Sequence, residues 1–180
     1  MKFEIDKNWT LFLDRDGVIN KKIDNDYVKS WNEFSFIDGS LEALSVLSIL
    51  FGNIIVVTNQ RGVGKGLMSE NDLNIIHDRM IDLVLKNGGR IDKIYFCPEI
   101  LDTSLCRKPN IGMAMMAKND FPNIDFERSV MIGDSKSDIE FGKRLNMKTV
   151  LIGSKGTFYT DFADIKCSSL IEVIPKFERK

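Results

Sequence analysis

Residues 12–19 read FLDRDGVI, a short apolar segment that runs directly into two aspartates spaced two positions apart. Residues 9–13 are apolar enough for a strand buried on both faces, which is typical of a parallel sheet covered by helices. Asp14 and Asp16 then fall at its carboxyl end, where residues i and i+2 of an extended chain point the same way. Gly17 permits the sharp turn by which the backbone leaves the strand. Two neighbouring carboxylates need a cation or a shared proton, and Mg²⁺ is the natural cation for an all-oxygen site.

A second segment of the same kind ends in small polar side chains. Residues 54–57 read IIVV and lead into Thr58 and Asn59. A threonine hydroxyl and the backbone N–H groups that follow a strand can hydrogen-bond a phosphate oxygen. Further along, Arg107 and Lys108 form a basic pair before a proline, and Lys108 would supply a point charge to a phosphoryl group. These residues predict a phosphate site beside the carboxylates.

A third strand-like segment ends in an acid. Residues 130–132 (VMI) are followed by Gly133 and Asp134, and a second acid, Asp138, lies four residues further on. Asp134 could complete the cation site. Asp138 falls near the start of the next predicted helix, where a carboxylate is favourable in any case. A capping role and a role in the site therefore both remain open for Asp138.

Apolar periodicity predicts alternating strands and helices along the chain. Helices are expected over residues 40–50, about 69–87 with a capping box formed by Ser69 and Asp72, 112–119 and 137–145. Further strands are expected over residues 93–96 and 149–152, with a short helix or strand over 170–177. The alternation predicts one α/β domain over residues 1–180, with a parallel sheet covered by helices on both faces. Ligands of such sheets bind at the carboxyl ends of the strands, where the polar residues fall.

The order of these motifs resembles the haloacid dehalogenase (HAD) superfamily of phosphotransferases over about residues 9–152. At a finer level, the segments FLDRDG, FIDG, VVTNQ and RKP are similar to the bacterial D-glycero-manno-heptose 1,7-bisphosphate phosphatases. The histidinol-phosphate phosphatases share much of this pattern. Ser135 stands where the heptose enzymes tend to carry a lysine, which keeps histidinol phosphate or another small metabolite as an alternative substrate. A catalytically silent binding domain of the same fold is a third hypothesis.

The resemblance implies a Rossmann-like HAD domain with a minimal or absent cap that hydrolyses a phosphomonoester through an aspartyl-phosphate. Asp14 would be the nucleophile, and Asp16 would protonate the leaving oxygen and then activate water. For this exchange Asp16 must bind protons more readily than Asp14. Thr58 and Lys108 would hold the phosphoryl group. Mg²⁺ would be bound by Asp14, Asp134 and, through its backbone carbonyl, Asp16.

Other polar residues have less specific roles in this interpretation. Asn59 would donate its N–H to the phosphoryl group, while Lys65 and Arg107 are candidates for a second phosphate on the substrate. Lys65 could equally be a solvated loop lysine. Arg15 is expected to be a surface or packing group, and His77, the only histidine, a half-buried helix residue without a catalytic role.

The cysteines depart from the family pattern, which usually carries a zinc loop with Cys-x-His and a later Cys-x-Cys. Here Glu99 follows Cys97 in place of the histidine, and Ser104 precedes Cys106 in place of a cysteine. Because a structural zinc site needs four ligands, the sequence predicts that zinc is absent. The odd total of three cysteines, with Cys167 isolated, predicts reduced thiols rather than a disulfide framework.

Composition is typical of a globular enzyme domain. The chain has 180 residues, of which 43% are hydrophobic and 28% charged, with a net charge of −1. This balance argues against a nucleic-acid or membrane-surface binder. The charged residues 2–7 contain no signal-peptide core, and the apolar runs are of strand length. We therefore expect a cytoplasmic, monomeric enzyme that acts on a small phosphorylated metabolite.

Overall fold

The computed structural model describes residues 2–153 and 162–180, and eight strands lie within these ranges. The strands are β1 (Phe3–Ile5), β2 (Thr10–Leu13), β3 (Asn53–Asn59), β4 (Lys93–Cys97), β5 (Ser129–Gly133), β6 (Lys148–Ile152), β7 (Ile165–Cys167) and β8 (Phe177–Arg179). Six of them form a parallel sheet in the order β4-β3-β2-β5-β6-β7, while β1 pairs with β8 in a separate parallel ribbon. The predicted parallel sheet is confirmed, with the aspartate-bearing strand β2 at its centre.

Five α-helices accompany these strands in the described part of the chain. They are α1 (Ser40–Leu50), α2 (Arg61–Gly64), α3 (Glu70–Lys86), α4 (Gly112–Asp120) and α5 (Lys136–Arg144). The four longer ones coincide with the predicted helices to within a few residues, and the capping box of Ser69 and Asp72 is present at the start of α3. The segment left open as helix or strand contains both, because the 3-10 helix Ile171–Lys176 leads into β8.

The strands of the sheet are buried on both faces, as predicted. Leu11 and Leu13 of β2 pack on one face against residues of α1 and α3, whereas Phe12 packs on the other against residues of α4 and α5. Successive side chains of a strand point to opposite faces, so four consecutive buried residues require a covering layer on each side. The hydrophobic burial of β2 therefore fixes the strand end that carries the two aspartates.

Strand register brings the polar residues to one edge. Leu13 lies opposite Val56 of β3 and Ile132 of β5, and the backbone N–H of Asp14 donates to the Ile132 carbonyl over 2.9 Å. The chain leaves all three central strands within three residues of this level. The catalytic candidates that follow the strands are therefore neighbours in space although they are far apart in sequence.

The cysteine prediction is wrong in one respect. Cys97, the last residue of β4, and Cys106 form a disulfide with a Cα–Cα distance of 5.5 Å, while Cys167 is free and buried. The intervening loop folds back because the Asn110 amide donates to the backbone carbonyls of Asp102 and Ser104. Counting cysteines could not reveal this fold of the loop. Both of these thiols are used in the disulfide, and the expected absence of zinc stays a prediction.

No helix among residues 2–153 and 162–180 is long and apolar enough to cross a membrane. The extent of the domain over residues 1–180 stays a prediction.

Candidate active site

A cavity of about 280 Å³ lies at the carboxyl end of the sheet. Its walls include all five residues assigned to catalysis or metal binding from the sequence, which are Asp14, Asp16, Thr58, Lys108 and Asp134. The volume is near the lower end of the range for small-molecule sites. The sequence prediction that these side chains converge is thus matched by their placement, and a small metabolite is the kind of ligand that the space admits.

Lys108 is the buried cation of the site. Its side chain is 1% exposed, and its Nζ lies 2.9 Å from Oδ1 of Asp14 and 2.6 Å from Oδ1 of Asp138. The same ammonium donates to the Val57 carbonyl over 2.7 Å. Burial alone would lower the pKa of Lys108, but Asp138 and Asp14 outweigh it and hold this pKa above its ordinary value. The ammonium is therefore charged and fixed in direction.

Asp14 experiences the opposite balance. Burial raises the pKa of Asp14 to about 7; Lys108 opposes the rise, and the carboxylates of Asp138, Asp134 and Asp16 add to it. The protein thus concentrates more negative charge around Asp14 than its own cations neutralise. Such a site attracts a further cation.

Asp134 offers a second carboxylate to this candidate cation site. Its Oδ1 is buried without a hydrogen-bond partner, while Oδ2 forms an ion pair with Lys22. Carboxylate oxygens of Asp14, Asp134 and Asp138 all lie within 4.8 Å of one another. A buried oxygen without a partner is costly unless a cation binds it, so this set fits a hard divalent ion such as Mg²⁺. The Asp16 carboxylate does not belong to the set, and its predicted backbone contact with the metal stays a prediction.

Two glycines allow these carboxylates to come so close. Gly17 has φ of 87°, and a Cβ built on it would lie 2.1 Å from Oδ2 of Asp134. A Cβ on Gly133 would lie 2.1 Å from the Cβ of Asp138. At both positions any side chain would collide with the neighbouring aspartate, so only glycine fits. Gly17 is also needed for its positive φ.

Asp138 combines the two roles that the sequence left open. Its side chain is fully buried, and its Oδ2 accepts from the backbone N–H and the hydroxyl of Ser135 over 3.0 and 2.6 Å. These bonds form a capping box at the start of α5. Its other oxygen pairs with Lys108, so the residue also orients the ammonium of the site.

Asp16 is held by a separate set of donors. Its Oδ1 accepts from Arg15 Nη2 over 2.9 Å and from Asn20 Nδ2 over 2.8 Å, and its Oδ2 accepts from Gln60 Nε2 over 2.8 Å. Burial favours the protonated form, but the Arg15 charge and these hydrogen bonds outweigh it and lower the pKa of Asp16. The expected order of proton affinities is therefore reversed for the protein's own groups, because that expectation took no account of Arg15 beside Asp16 and of the burial of Asp14.

Thr58 and Asn59 end β3 beside Lys108. The Thr58 hydroxyl is buried at the cavity wall and accepts from Gln60 Nε2 over 2.9 Å. The Asn59 side chain accepts from the Lys108 backbone N–H over 3.0 Å and donates to the Lys108 carbonyl over 3.2 Å. Asn59 therefore fixes the lysine-bearing loop, a role that the sequence did not suggest.

The predicted cations for a second phosphate lie outside the cavity wall. Arg107 pairs with Asp102 through Nε and Oδ1 at 2.9 Å, and Arg61 pairs with the same carboxylate. Lys65 is exposed, with Nζ 5.2 Å from the centre of the Tyr27 ring, and Tyr27 itself lines the cavity. Neither Lys65 nor Arg107 is among the residues that line the cavity, and their role toward a second phosphate stays a prediction.

Sequence reasoning missed several polar residues that contact the site. Lys22 lines the cavity, Gln60 and Asn20 hold Asp16, and Arg15 reaches across to His77. The Arg15 guanidinium is buried and paired, so its assignment as a surface or packing group was incomplete. Lys22 and Asn20 lie in a segment without periodicity, which gave no direction for their side chains. Gln60 directly follows the Thr58 motif, and this adjacency was the one available signal.

Comparisons with known proteins agree with this site. A family model described as HAD-hydrolase-like matches residues 105–166. A solved D,D-heptose 1,7-bisphosphate phosphatase from B. bronchiseptica, complexed with magnesium and phosphate, superposes with a TM-score of 0.80. That match has 29% identity and covers 92% of this chain and 95% of the other. The covered parallel sheet and its carboxylate–lysine site are those of a haloacid dehalogenase-type phosphatase.

Curated relatives define the group more closely. The D-glycero-alpha-D-manno-heptose-1,7-bisphosphate 7-phosphatase of Campylobacter jejuni is 35% identical over 97% of this chain and 98% of its own length. The Mycobacterium tuberculosis protein of that name is 41% identical over 73% of this chain and 70% of its own. The beta-anomer enzyme of Pasteurella multocida is 34% identical over 91% of each chain. The chain belongs to the heptose-1,7-bisphosphate 7-phosphatase family of HAD-like hydrolases.

Proposed function

We propose that the protein removes the 7-phosphate of D-glycero-D-manno-heptose 1,7-bisphosphate in a Mg²⁺-dependent reaction. The observation that carries the reaction type is the Lys108 ammonium fixed between Asp14 and Asp138, next to the unpartnered oxygen of Asp134. This arrangement supports a carboxylate nucleophile, Asp14, beside a fixed cation on one cavity wall. The substrate is supported by the names of the relatives.

Asp14, Asp134 and the backbone carbonyl of Asp16 would hold the Mg²⁺ ion. When bound, the ion neutralises charge on the transferring phosphoryl group. The hard oxygen donors and their excess of negative charge support this choice of metal.

In the first half-reaction, an oxygen of the Asp14 carboxylate attacks phosphorus and the bond from phosphorus to the sugar oxygen breaks. Lys108 and the Thr58 hydroxyl hold the phosphoryl oxygens in place, and Asp16 gives its proton to the departing oxygen. In the second, Asp16 takes a proton from water, which attacks the aspartyl-phosphate and releases phosphate. A dianionic phosphoryl group beside Asp16 raises its proton affinity and so favours the protonated form at the start.

Lys65 and Arg107 are proposed to meet the second phosphate at the cavity rim. Arg107 forms an ion pair with the exposed carboxylate of Asp102, which a substrate phosphate would replace. Charge reversal in Lys65→Glu should raise KM for the heptose bisphosphate more than for the corresponding 7-monophosphate. Equal effects on both substrates would remove Lys65 from the binding site.

Phosphate release should be measured with both anomers of the heptose bisphosphate and with histidinol phosphate, with and without Mg²⁺. We expect Mg²⁺-dependent release of one phosphate from the heptose, and none from Asp14→Asn. Preference for histidinol phosphate would retain the mechanism and reject the substrate. The relatives carry names for both anomers, so the ratio of the two kcat/KM values assigns the anomer. The predicted cytoplasmic location and monomeric state are tested separately by cell fractionation and size-exclusion chromatography.

A further inference from the structure

We propose that Arg15 and His77 form a buried brace that positions Asp16 for proton transfer to the leaving group. This inference rests on the proposed function, in which Asp16 is the proton donor. It assigns a role to the only histidine of the chain.

The Arg15 side chain is completely buried, which is unusual for an arginine outside a specific set of contacts. Its guanidinium is anchored at two points, Nη1 to His77 Nε2 at 3.2 Å and Nη2 to Asp16 Oδ1 at 2.9 Å. The remaining nitrogen, Nε, is buried without a partner. Losing the contact with His77 would therefore remove one of the two points that fix the guanidinium.

His77 is suited to accept this bond. It lies on the buried face of α3, 5% exposed, among Leu73, Ile76 and Met80. An arginine can only donate, so Nε2 must be the acceptor and the ring proton resides on Nδ1. Burial and the Arg15 charge lower the pKa of His77 to about 3, so the ring stays neutral and keeps its acceptor.

The brace determines the direction of the Asp16 carboxylate. Asn20 and Gln60 donate as neutral amides, and Arg15 supplies the one charged donor among the three. The three contacts have similar lengths of 2.8–2.9 Å. At similar length a charge-assisted hydrogen bond is stronger than a neutral one, so the Arg15 contact contributes most to the orientation. Because its guanidinium is held by His77, the position of the proton donor depends on a residue 62 positions away in sequence.

Leaving groups of different basicity separate this role from a structural one. A sugar alkoxide needs a proton as it departs, whereas 4-nitrophenolate leaves without one. In His77→Leu, which removes the acceptor, we expect kcat/KM for the sugar phosphate to fall about ten- to hundredfold, part of the 10²–10⁴ that general acid catalysis supplies. The value for 4-nitrophenyl phosphate should change less than about threefold.

The second half-reaction gives an independent readout. It needs Asp16 as a base for every substrate, so His77→Leu should show a burst of nitrophenolate equal to the enzyme concentration before a slow steady state. His77→Gln retains an acceptor and should recover most of the loss. Asp16→Asn sets the limiting behaviour for both measurements.

Equal losses with both substrates would overturn the brace, as would unchanged rates in His77→Leu. If thermal unfolding shows that His77→Leu does not fold, Arg15→Lys serves as a second variant. Its single ammonium replaces the two-pronged guanidinium, and we expect it to give the same leaving-group selectivity. A wild-type enzyme inactive on both phosphates would reject the proposed function itself, which is a distinct outcome.

Discussion

Replacing Lys108 by methionine removes the central charge of the site while keeping a side chain of similar length. The ammonium lies 2.9 Å from Asp14 and 2.6 Å from Asp138, and both carboxylates are buried. In Lys108→Met, two like charges would face each other without a cation between them. Both the stability and the activity of the protein should respond.

The contacts of Lys108 set the expected loss in the free energy of unfolding of Lys108→Met. Breaking a buried ion pair by removing one partner costs about 3–5 kcal/mol, because the other charge stays uncompensated. Asp138 keeps its bonds from Ser135, and Asp14 can take up a proton because its pKa is already raised to about 7. We therefore expect the lower end, about 3 kcal/mol, which lowers Tm by about 6–12 °C in a domain of this size.

The activity should fall by a larger factor. In the proposed mechanism Lys108 neutralises the phosphoryl oxygens as charge develops, and the loss of one such donor typically costs about 10²–10³ in kcat. Mg²⁺ should raise Tm more in Lys108→Met than in the native protein, since the added cation compensates the two buried carboxylates that have lost their ammonium partner.

Thermal unfolding in EDTA and then in Mg²⁺, together with phosphate release, tests this reasoning. Lys93→Met is the matched control, because Lys93 forms a partly exposed pair with Asp120 at 2.7 Å on the surface. Such pairs contribute less than about 1 kcal/mol. If Lys108→Met unfolded at the same temperature as Lys93→Met, or retained more than a tenth of the native kcat, the assigned role of the buried ammonium would be refuted.

Three further outcomes can be checked on the same samples. The pKa of Asp14 is about 7 in the folded protein against an ordinary 3.8, so this group's contribution to stability declines as pH rises from about 4 to 7. Asp14→Asn should abolish that decline when Tm is measured against pH without metal, and parallel plots of Tm against pH for the variant and the native protein would contradict it. Lys22→Ala removes the cation that pairs with Asp134, and calorimetry should find Mg²⁺ bound about two- to fivefold more tightly, which is the gain that loss of a partly exposed ion pair allows. Weaker binding would count against competition between Lys22 and Mg²⁺ for the Asp134 carboxylate. Gly17→Ala places a Cβ against Asp134 at a position with positive φ, which should lower the free energy of unfolding by at least about 1–2 kcal/mol and abolish the calorimetric Mg²⁺ signal. Unaltered Mg²⁺ binding would show that the loop can move aside.

The location of the site could be predicted from the sequence because it depends on strand ends. Asp14, Thr58 and Asp134 each follow an apolar segment, and the register of parallel strands alone brings them to one edge. Lys108 lies in a loop and was placed by its resemblance to a known motif. Apolar periodicity predicted the four longer helices because each buries an apolar face against the sheet.

The partners of Asp16 could not be predicted in this way. Arg15 meets His77 over 62 positions, and no local pattern encodes a contact between a strand end and the buried face of a helix. The proton affinities depend on such contacts, which is why the order of the Asp14 and Asp16 pKa values among the protein's own groups is the reverse of the expected one. The strands β1 and β7 were missed because three residues are too few for an alternating pattern.

The ribbon of β1 and β8 bears on how the chain folds during synthesis. Phe3 and Ile5 are buried in the finished protein, and their strand partners are residues 177–179. At typical translation speeds of about 5–20 residues per second, the first strand waits roughly 10–35 s for the last. During that interval two apolar side chains near the start of the chain lack their native cover. The nascent protein therefore presents a short apolar segment that a ribosome-associated chaperone could hold until residue 179 has emerged.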